Sequence, residues 1–345
     1  MAHQHIIIIG AGIIGALIAR TLAQTGNKVT LIDALDAPGQ GVSAASFGWI
    51  TCAAGDPDIA EPVYRQRLEA IENYAALARD YRGNLCAPLS GALVWGDSKS
   101  ETIDWAERHA QRGSVVRLVR RAEIADLEPM LANPPELAAR FPNEKALDVS
   151  HACSLFTGSA RENGADLLFG QKVLGLDVSH GRITGVRLSG LTIKADQVIV
   201  AAGASSAQIL GDLMPDHGIY TSPAALITLS VDTGRIHHVL DGDGIEIRSR
   251  RDGSLIAASG LREGDIDAVR AELAGEVLAG VRRLLPGLKN PQVTSVHIAR
   301  RPFIPEGQSL VSTSRNIQGL HLAVAHPGVI LAPEISRLVA ERTTQ

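Results

Sequence analysis

A glycine-rich turn directly follows an apolar run near the N-terminus. Four isoleucines, Ile6 to Ile9, run into the sequence Gly10-Ala11-Gly12-Ile13-Ile14-Gly15. Residues 16–25 have helical character, Gly26 ends them, and a second apolar run ends at Asp33. This order predicts a strand, a tight turn, a helix, a second strand and an acid. A βα turn without a ligand is the alternative, but the acid about 20 residues on favours a dinucleotide site.

Each residue of this motif has a physical reason. Gly10 permits the tight turn, Gly12 lets the backbone approach a pyrophosphate, and Gly15 lets the helix pack closely on the strand. The helix N-terminus offers unpaired N–H groups and the positive end of a dipole to the phosphates. Asp33 ends the second strand, where its carboxylate can accept both hydroxyls of a ribose.

Composition bounds the class of protein. The chain has 345 residues, which predicts two domains. Its formal net charge is −4 and it has no basic tract, which disfavours nucleic acid as a partner. The three cysteines, Cys52, Cys86 and Cys153, have neither metal-site nor disulfide spacing. We therefore predict no metal site and a reducing, cytoplasmic location.

Membrane association is not indicated either. The apolar N-terminal run is too short to span a bilayer, and it belongs to the dinucleotide motif. No basic region and cleavage site precede it, so we expect no signal peptide. These features predict a chain without an integral membrane span.

The remaining chain alternates between the two predicted domains. Residues 37–50 are rich in small, hydroxylated and glycine residues and end in the apolar run Phe47-Gly48-Trp49-Ile50, and residues 196–204 form a buried strand that ends in small residues. Residues 219–260 alternate as strands, and residues 264–285 form an amphipathic helix. A strand at 320–325 leads through a loop to a final helix that ends near Glu341. Because we find no repeat and no flexible linker, the domains must interleave.

Taken together, these blocks resemble the FAD-dependent oxidoreductases of the D-amino-acid oxidase, glycine oxidase and sarcosine oxidase family. The resemblance covers the whole length in order. It rests on residues 10–15 with Asp33, 43–50, 195–204, and Arg301-Pro302 through His326 to Pro333.

The resemblance implies an α/β fold with a Rossmann-like FAD-binding domain. That domain comprises residues 1–80, 145–210 and 300–345. Residues 81–144 and 211–299 form an interleaved substrate domain on a mixed, largely antiparallel sheet. The resemblance also implies FAD as the cofactor. We expect it to be bound non-covalently, and no cysteine after Cys153 is present to form the C-terminal cysteine linkage of some relatives.

The resemblance also implies the cofactor-binding residues. They are Gly10, Gly12, Ile13, Ile14, Gly15, Asp33, Ala34, Ser43, Ala44, Ala45, Ser46, Phe47, Gly48, Val173, Ala202, Gly203, Gly328, Val329, Ile330 and Leu331. Among them, the backbone at Val173 meets the adenine, and Ala202 and Gly203 line the ADP end. Residues 43–48 lie near the flavin. Residues 328–331 form a returning loop whose N–H groups face the flavin N1–C2=O edge.

Two residues are predicted to be catalytic. Arg301 matches the arginine that holds the substrate carboxylate, since a planar guanidinium binds a carboxylate bidentately. A surface arginine beside Arg300 is the alternative. His326 lies where several relatives have a second carboxylate-binding arginine, and it either covers the flavin or packs structurally. Aromatic residues are scarce, so we expect no tyrosine-lined pocket; Tyr220 is the only tyrosine in the second half.

The predicted reaction is the oxidation of a small amino acid or secondary amine by hydride transfer to flavin N5. The imine product then hydrolyses to a keto acid. One alternative is an FAD-dependent 2-hydroxy-acid oxidoreductase with His326 as its base. A second is an NAD-dependent dehydrogenase, which the C-terminal flavin loop disfavours. A third is the FAD-carrying subunit of a hetero-oligomeric opine-type dehydrogenase that is inactive alone. The partner is thus a small-molecule amine, and homo- or hetero-oligomerisation stays open.

Overall fold

The computed structural model describes residues 4–261, 266–305 and 310–343. The helices are α1 (Ile13–Gln24), α2 (Glu61–Asp80), α3 (Lys99–Gln111), α4 (Arg121–Leu127), α5 (Val149–Glu162), α6 (Ser206–Leu210), α7 (Ile266–Leu284) and α8 (Gly328–Thr343). The strands in the first half are β1 (His5–Ile9), β2 (Lys28–Ile32), β3 (Trp49–Ile50), β4 (Ala92–Val94), β5 (Arg117–Arg120), β6 (Leu137–Phe141), β7 (Lys145–Ala146) and β8 (Asp166–Leu168). Those in the second half are β9 (Gly175–Ser179), β10 (Arg182–Leu188), β11 (Leu191–Lys194), β12 (Gln197–Val200), β13 (Tyr220–Ser230), β14 (Val239–Gly242), β15 (Ile245–Ser249), β16 (Leu255–Gly260), β17 (Gln292–Phe303), β18 (Val311–Thr313) and β19 (Leu320–Ala323).

The chain forms two compact units. Unit 1 comprises Met1–Ala44, Val149–Ser222 and Ala299–Gln345, and unit 2 comprises Ala45–Asp148 and Pro223–Ile298. Two of the boundaries between these units fall inside β13 and β17. The α/β class expected from the sequence is therefore present, and the segments of the two units alternate along the chain.

Unit 1 is built on a six-stranded sheet in the order β18-β19-β12-β1-β2-β8. All neighbours pair in parallel except β18 and β19. The central strand β1 buries alternate isoleucines on opposite faces. Ile6 and Ile8 pack with α1 and α8, while Ile7 and Ile9 pack with β9 and β10. A continuous apolar strand is what a parallel sheet covered on both faces requires.

Unit 2 contains most of an eight-stranded sheet in the order β17-β13-β16-β15-β14-β4-β6-β5. It is mixed, because β14 and β4 pair in parallel, whereas the pairs β13–β16, β16–β15, β15–β14, β4–β6 and β6–β5 are antiparallel. The apolar stripe of α7 packs on one face against Ile227, Leu229 and Ile247. The opposite face packs against Phe47 and Trp49.

The unit boundaries differ from the predicted domain boundaries mainly at two segments, residues 45–80 and 211–222. Residues 45–80 belong to unit 2, although the sequence assigned them to the FAD-binding domain. The start of this segment packs on the eight-stranded sheet, where Phe47 and Trp49 share a buried cluster with Ala92, Val94 and Phe141. Residues 211–222 belong to unit 1. The assignment of cofactor and substrate roles to the units stays a prediction.

Several elements begin or end differently from the expectation. Helix α1 begins at Ile13 rather than Ala16, and α8 begins at Gly328 and contains Pro333, which was expected to precede the helix. Strand β17 continues through Arg300 to Phe303. The predicted start of α7 at residue 264 lies outside the described residues. Strands β6, β7 and β14 were missed because they are short and lack a β-branched run.

Candidate functional site

The glycine turn after β1 is as compact as the motif requires. Gly10 has a φ of +105°, and a Cβ atom there would lie 2.6 Å from the carbonyl oxygen of Ala201. A Cβ atom at Gly15 would lie 1.9 Å from the carbonyl oxygen of Gly10. Neither position can hold a side chain without moving the backbone. The first turn of α1 therefore packs directly on the end of β1.

Helix α1 receives its N-terminal cap from outside the helix. Gly12 is the N-cap residue and has no side chain to accept a hydrogen bond. The N–H of Ile13 instead donates to the Ser43 hydroxyl at 3.0 Å, and a Cβ at Gly12 would lie 3.1 Å from that Oγ. The first turn, Ile13 to Gly15, carries no carboxylate. Its positive dipole end is thus not neutralised by the helix itself.

Asp33 is held by two backbone N–H groups. Its Oδ2 accepts from Ala11 at 2.5 Å, and its Oδ1 accepts from Leu35 at 2.8 Å. A carboxylate has about four lone-pair sites, so each oxygen keeps capacity for a further donor. The side chain is therefore oriented, and one of its bonds ties it to the glycine turn.

The loop before β9 runs beside the end of β2. The Gln171 N–H donates to the Asp33 carbonyl at 2.9 Å, and the Gly170 N–H donates to the Leu35 carbonyl at 2.7 Å. Ala34 lies between those acceptors and is exposed. Val173 follows in the same loop, and its side chain is buried in the unit 1 core. The structure thus brings Val173 into the same loop cluster as Asp33.

The small residues after β12 lie against the glycine turn. A Cβ at Gly10 would lie 2.8 Å from the Cα of Ala202. Gly203 has a φ of +56° and begins a short 3-10 helix. A Cβ at Gly203 would have Pro302 as its nearest neighbour, with the Cγ at 4.0 Å. The predicted residues Ala202 and Gly203 therefore adjoin both the turn and the end of β17.

Residues 328–331 form the first turn of α8 rather than a loop. A Cβ at Gly328 would lie 3.5 Å from the Cδ1 of Ile14, which places this turn beside the start of α1. The Leu331 N–H donates to the Pro327 carbonyl at 3.1 Å, so it is used within the helix. The side chains of Ile330 and Leu331 are buried.

The segment 43–48 is divided between the two units. Ser43 and Ala44 lie in unit 1 within a 3-10 helix, Val42–Ala45, whereas Ala45 to Gly48 belong to unit 2. The Ser46 hydroxyl accepts from the Gly48 N–H at 3.2 Å. Gly48 has a φ of +74°. Ser46 therefore stabilises the local turn that Gly48 makes possible.

Arg248 supports this segment and was not recognised from the sequence. It is fully buried on β15, and its guanidinium donates to the carbonyls of Phe47 at 2.8 Å and Leu147 at 2.6 Å. It also pairs with buried Asp148 at 3.0 Å. Burial lowers its pKa, and Asp148 opposes that shift. The alternating pattern of β15 places Arg248 on the face of Glu246, opposite Ile245 and Ile247, so the sequence did not signal its burial.

Arg301 lies on β17 and is half-buried. Its guanidinium carbon lies 5.8 Å from the ring centroid of Phe303, two residues further along the strand. Its Nε is buried and has no hydrogen-bond partner among the residues that the structure describes. Burial lowers the pKa of this arginine. This is a desolvated cation with donor capacity left over.

His326 and Arg301 both contact the ring of Phe303. The centroids of Phe303 and His326 are 4.2 Å apart, and Phe303 also stacks on Tyr220 with centroids 5.3 Å apart and planes 18° apart. The composition predicted no tyrosine-lined pocket. The fold nevertheless brings the rings of Tyr220, Phe303 and His326 together. The residues come from three distant parts of the chain, which no local pattern reports.

The described residues contain neither a candidate metal-binding cluster nor a candidate membrane-spanning helix. Across residues 4–261, 266–305 and 310–343, no cluster of three His, Cys, Asp or Glu side chains could hold a metal ion. Within the same ranges, no helix has the length and hydropathy needed to cross a bilayer.

Known proteins match this chain over nearly its full length. The family described as FAD dependent oxidoreductase matches residues 5–342. A glycine oxidase of Pseudomonas aeruginosa is 27% identical and covers 98% of this chain and 94% of its own. A D-amino acid dehydrogenase of Cereibacter sphaeroides is 26% identical, covering 94% and 87%.

A solved structure agrees with these relatives. The crystal structure of an iminodiacetate oxidase from Chelativorans sp. superimposes with a TM-score of 0.82 at 25% identity, covering 97% of this chain and 94% of its own. The strand-turn-helix unit, the interleaved segments and the family match over 5–342 agree with one another. This chain therefore belongs to the FAD dependent oxidoreductase family.

Proposed function

We propose that this protein oxidises a small amino acid or secondary amine with FAD as its oxidant. Arg301 is the observation that carries the proposal. It is a half-buried guanidinium whose buried Nε has no partner among the described residues. A planar guanidinium in a desolvated position suits a carboxylate, which it can bind through two parallel hydrogen bonds.

The relatives support the same class of substrate. Their names are glycine oxidase, D-amino acid dehydrogenase and iminodiacetate oxidase, and each name refers to an amine that also carries a carboxylate. The two features of such a substrate are thus an amine to be oxidised and a carboxylate to be held. Arg301 is suited to hold the carboxylate.

The nucleotide end of FAD fits the region around the start of α1. The close approach at Gly10 and Gly15, the externally capped helix N-terminus and the spare acceptors of Asp33 suit a pyrophosphate and a ribose. We assign the adenine to the backbone near Val173 and the ADP end to Ala202 and Gly203.

We assign the flavin end to two segments. They are Ser43 to Gly48 and the first turn of α8, Gly328 to Leu331, where Leu331 contributes packing because its N–H is already used. When bound, FAD accepts a hydride from the substrate carbon at flavin N5. The protein's own contribution is to position that carbon, for which Arg301 fixes the carboxylate. His326 covers the same region from the start of α8.

We propose a cytoplasmic location on the basis of the cysteines. Cys52, Cys86 and Cys153 are all unpaired, as is usual in a reducing compartment. The need for a partner subunit is tested by whether the protein alone is reduced by substrate.

The test is anaerobic reduction of the bound flavin. The purified holoenzyme is mixed with D- and L-amino acids, N-alkyl glycines, prolines, opines and 2-hydroxy acids, and loss of the oxidised flavin absorbance is followed. We expect one class of amines to bleach the flavin. Arg301→Ala should lower the apparent affinity for that substrate roughly 10- to 100-fold, as loss of a charged hydrogen-bonding partner does.

Arg300→Ala is the matched control, because Arg300 is the adjacent arginine and its Nε donates to the Thr221 hydroxyl at 2.8 Å. It should leave the reaction unchanged. Bleaching by 2-hydroxy acids alone would overturn the amine proposal. Absence of bleaching by every compound, with FAD bound, would instead favour a subunit that needs a partner, and co-purification with neighbouring gene products would then be tested.

A further inference from the structure

Three rings form a continuous row on the surface of unit 1. Tyr220 at the start of β13 stacks on Phe303 at the end of β17, and Phe303 contacts His326 just before α8. We call Tyr220, Phe303 and His326 the aromatic row. Its members come from three segments, so the fold itself builds it.

The aromatic row lies on the same side of β17 as Arg301. Side chains two residues apart on a strand point to the same face, and Arg301 and Phe303 are so spaced. Their contact, with 5.8 Å from guanidinium carbon to ring centroid, agrees with this. Arg300 points the other way and bonds Thr221, the residue after Tyr220. On one face of these two strand ends, Arg300 and Thr221 are therefore hydrogen-bonded to each other. The other face carries the Arg301 guanidinium and the aromatic row.

The rings are not there to fill a core. Tyr220 keeps 55% of its surface exposed, His326 is exposed, and Phe303 is half-buried. Among the described residues, the two buried apolar clusters on the faces of the six-stranded sheet contain none of the three rings. A chain in which Phe, Trp and Tyr make up only 3% of the residues thus places two of these rings, with a histidine, beside an arginine whose buried Nε has no partner among the described residues.

We propose that the aromatic row is a specificity subsite that binds a flat, apolar substituent of the substrate. The proposal rests on the proposed function, because it places the substrate carboxylate on Arg301. A carboxylate on Arg301 puts the rest of the ligand within reach of Phe303. An arene can then stack on Phe303 or meet its edge, whereas the single methylene of glycine cannot.

The preferred substrate class follows from this arrangement. It is an amino acid, primary or N-substituted, that bears an aromatic ring one or two bonds from the carbon carrying the carboxylate. An aromatic pair contributes a gain in affinity of roughly 3- to 10-fold beyond its buried area.

The test compares two carboxylates that differ only by a ring, acetate and phenylacetate. Binding of each to the oxidised holoenzyme is measured by isothermal titration calorimetry, which needs no turnover. We expect phenylacetate to bind at least roughly 3-fold more tightly than acetate. In Phe303→Leu, which keeps an apolar side chain but removes the ring, this ratio should fall towards one. Phe303→Tyr should restore it.

Leu191→Ala is the control, since Leu191 is an exposed apolar residue on β11 and should leave the ratio as it is. Bound FAD and the melting temperature verify that each variant is folded. An equal affinity for both ligands, or a ratio that Phe303→Leu does not change, would overturn the subsite.

The two proposals fail differently. If acetate binding depends on Arg301 but the ring adds nothing, the aromatic row is not a subsite and the proposed carboxylate site stands. If acetate and phenylacetate do not bind, or if Arg301→Ala leaves their binding unchanged, the proposed carboxylate site is wrong. The subsite that rests on it is then wrong as well.

Discussion

The carboxylate of Asp33 accepts the N–H of Ala11 at 2.5 Å, which links the end of β2 to the glycine turn after β1. The second oxygen of Asp33 accepts the N–H of Leu35 at 2.8 Å. The acid is therefore a structural part of the turn as well as the proposed ribose ligand. Both roles depend on its having two acceptor oxygens.

We expect Asp33→Asn to weaken FAD binding roughly 10- to 100-fold, because an amide offers one acceptor in place of two and carries no charge. The measurement is the dissociation constant of FAD, from fluorescence on titrating the apoprotein. Asp36→Asn, three residues on and exposed, is the control and should bind FAD normally. Equal affinity in the two variants would contradict the role of Asp33.

Two helical glycines should respond to alanine with opposite signs. In Gly15→Ala the new Cβ would meet the Gly10 carbonyl at 1.9 Å, so we expect a loss of about 1–3 kcal/mol of unfolding free energy, together with weaker FAD binding. In Gly158→Ala, on α5, no atom lies within 4 Å of the new Cβ. That variant should gain about 0.5–1 kcal/mol from helix propensity. Urea unfolding of both proteins measures the difference, and a shared sign would refute the packing argument.

The cross-strand carboxylates Asp241 and Glu246 should make stability depend on pH. They are direct neighbours on β14 and β15. Burial, with Asp241 as a second cause, raises the pKa of Glu246 to about 7, and burial raises that of Asp241 to about 6. The folded state therefore holds protons that the unfolded state releases, and stability falls as pH rises towards 7.

Glu246→Gln should remove much of this dependence. Between pH 5 and pH 8 the wild-type protein should lose more unfolding free energy than the variant does, as measured by urea unfolding at each pH. Glu72→Gln, an exposed change on α2, serves as the control and should follow the wild type. A variant that loses as much as the wild type over this range would argue against a protonated Glu246.

Loss of the buried arginine of unit 2 should be costly. Arg248→Met leaves Asp148 without its 3.0 Å partner and leaves the Phe47 and Leu147 carbonyls without their donor. We expect a destabilisation of roughly 3–5 kcal/mol, typical of breaking a buried pair. Arg187→Met removes an exposed pair with Asp177 and should cost roughly 0–1 kcal/mol. Chemical denaturation ranks the two, and similar costs would show that Arg248 is not essential to the fold.

Local patterns were sufficient for the first βαβ unit. The isoleucine run, the glycines and Asp33 lie within 33 residues, and their spacing alone specifies strand, turn and helix. The order of the later blocks was enough for the family, which the match over residues 5–342 confirms. The sequence also predicted a mixed, largely antiparallel second sheet, as observed.

Contacts between residues that are far apart in the sequence could not be predicted from it. Arg248 and Phe47 are 201 positions apart, and Ser43 caps α1 from 30 positions away. The aromatic row joins residues 220, 303 and 326, none of which forms a local motif with another. The start of α8 was misplaced because Pro333 suggested a break, whereas the structure accommodates this proline inside the helix. The assigned cofactor and substrate roles of individual residues stay predictions.

The segments of unit 1 also impose an order on biosynthesis. Strand β1 acquires its neighbour β12 only after about 190 further residues have been translated, and α8, which packs with α1, follows only at Gly328–Thr343. The nascent N-terminal segment thus carries an apolar strand and helix whose covering partners do not yet exist, and exposed surface of this kind is prone to aggregation. Helix α8 must be synthesised before the β1–α1 unit is fully buried, so C-terminal truncation just before Gly328 should leave the N-terminal core open to chaperones and proteases.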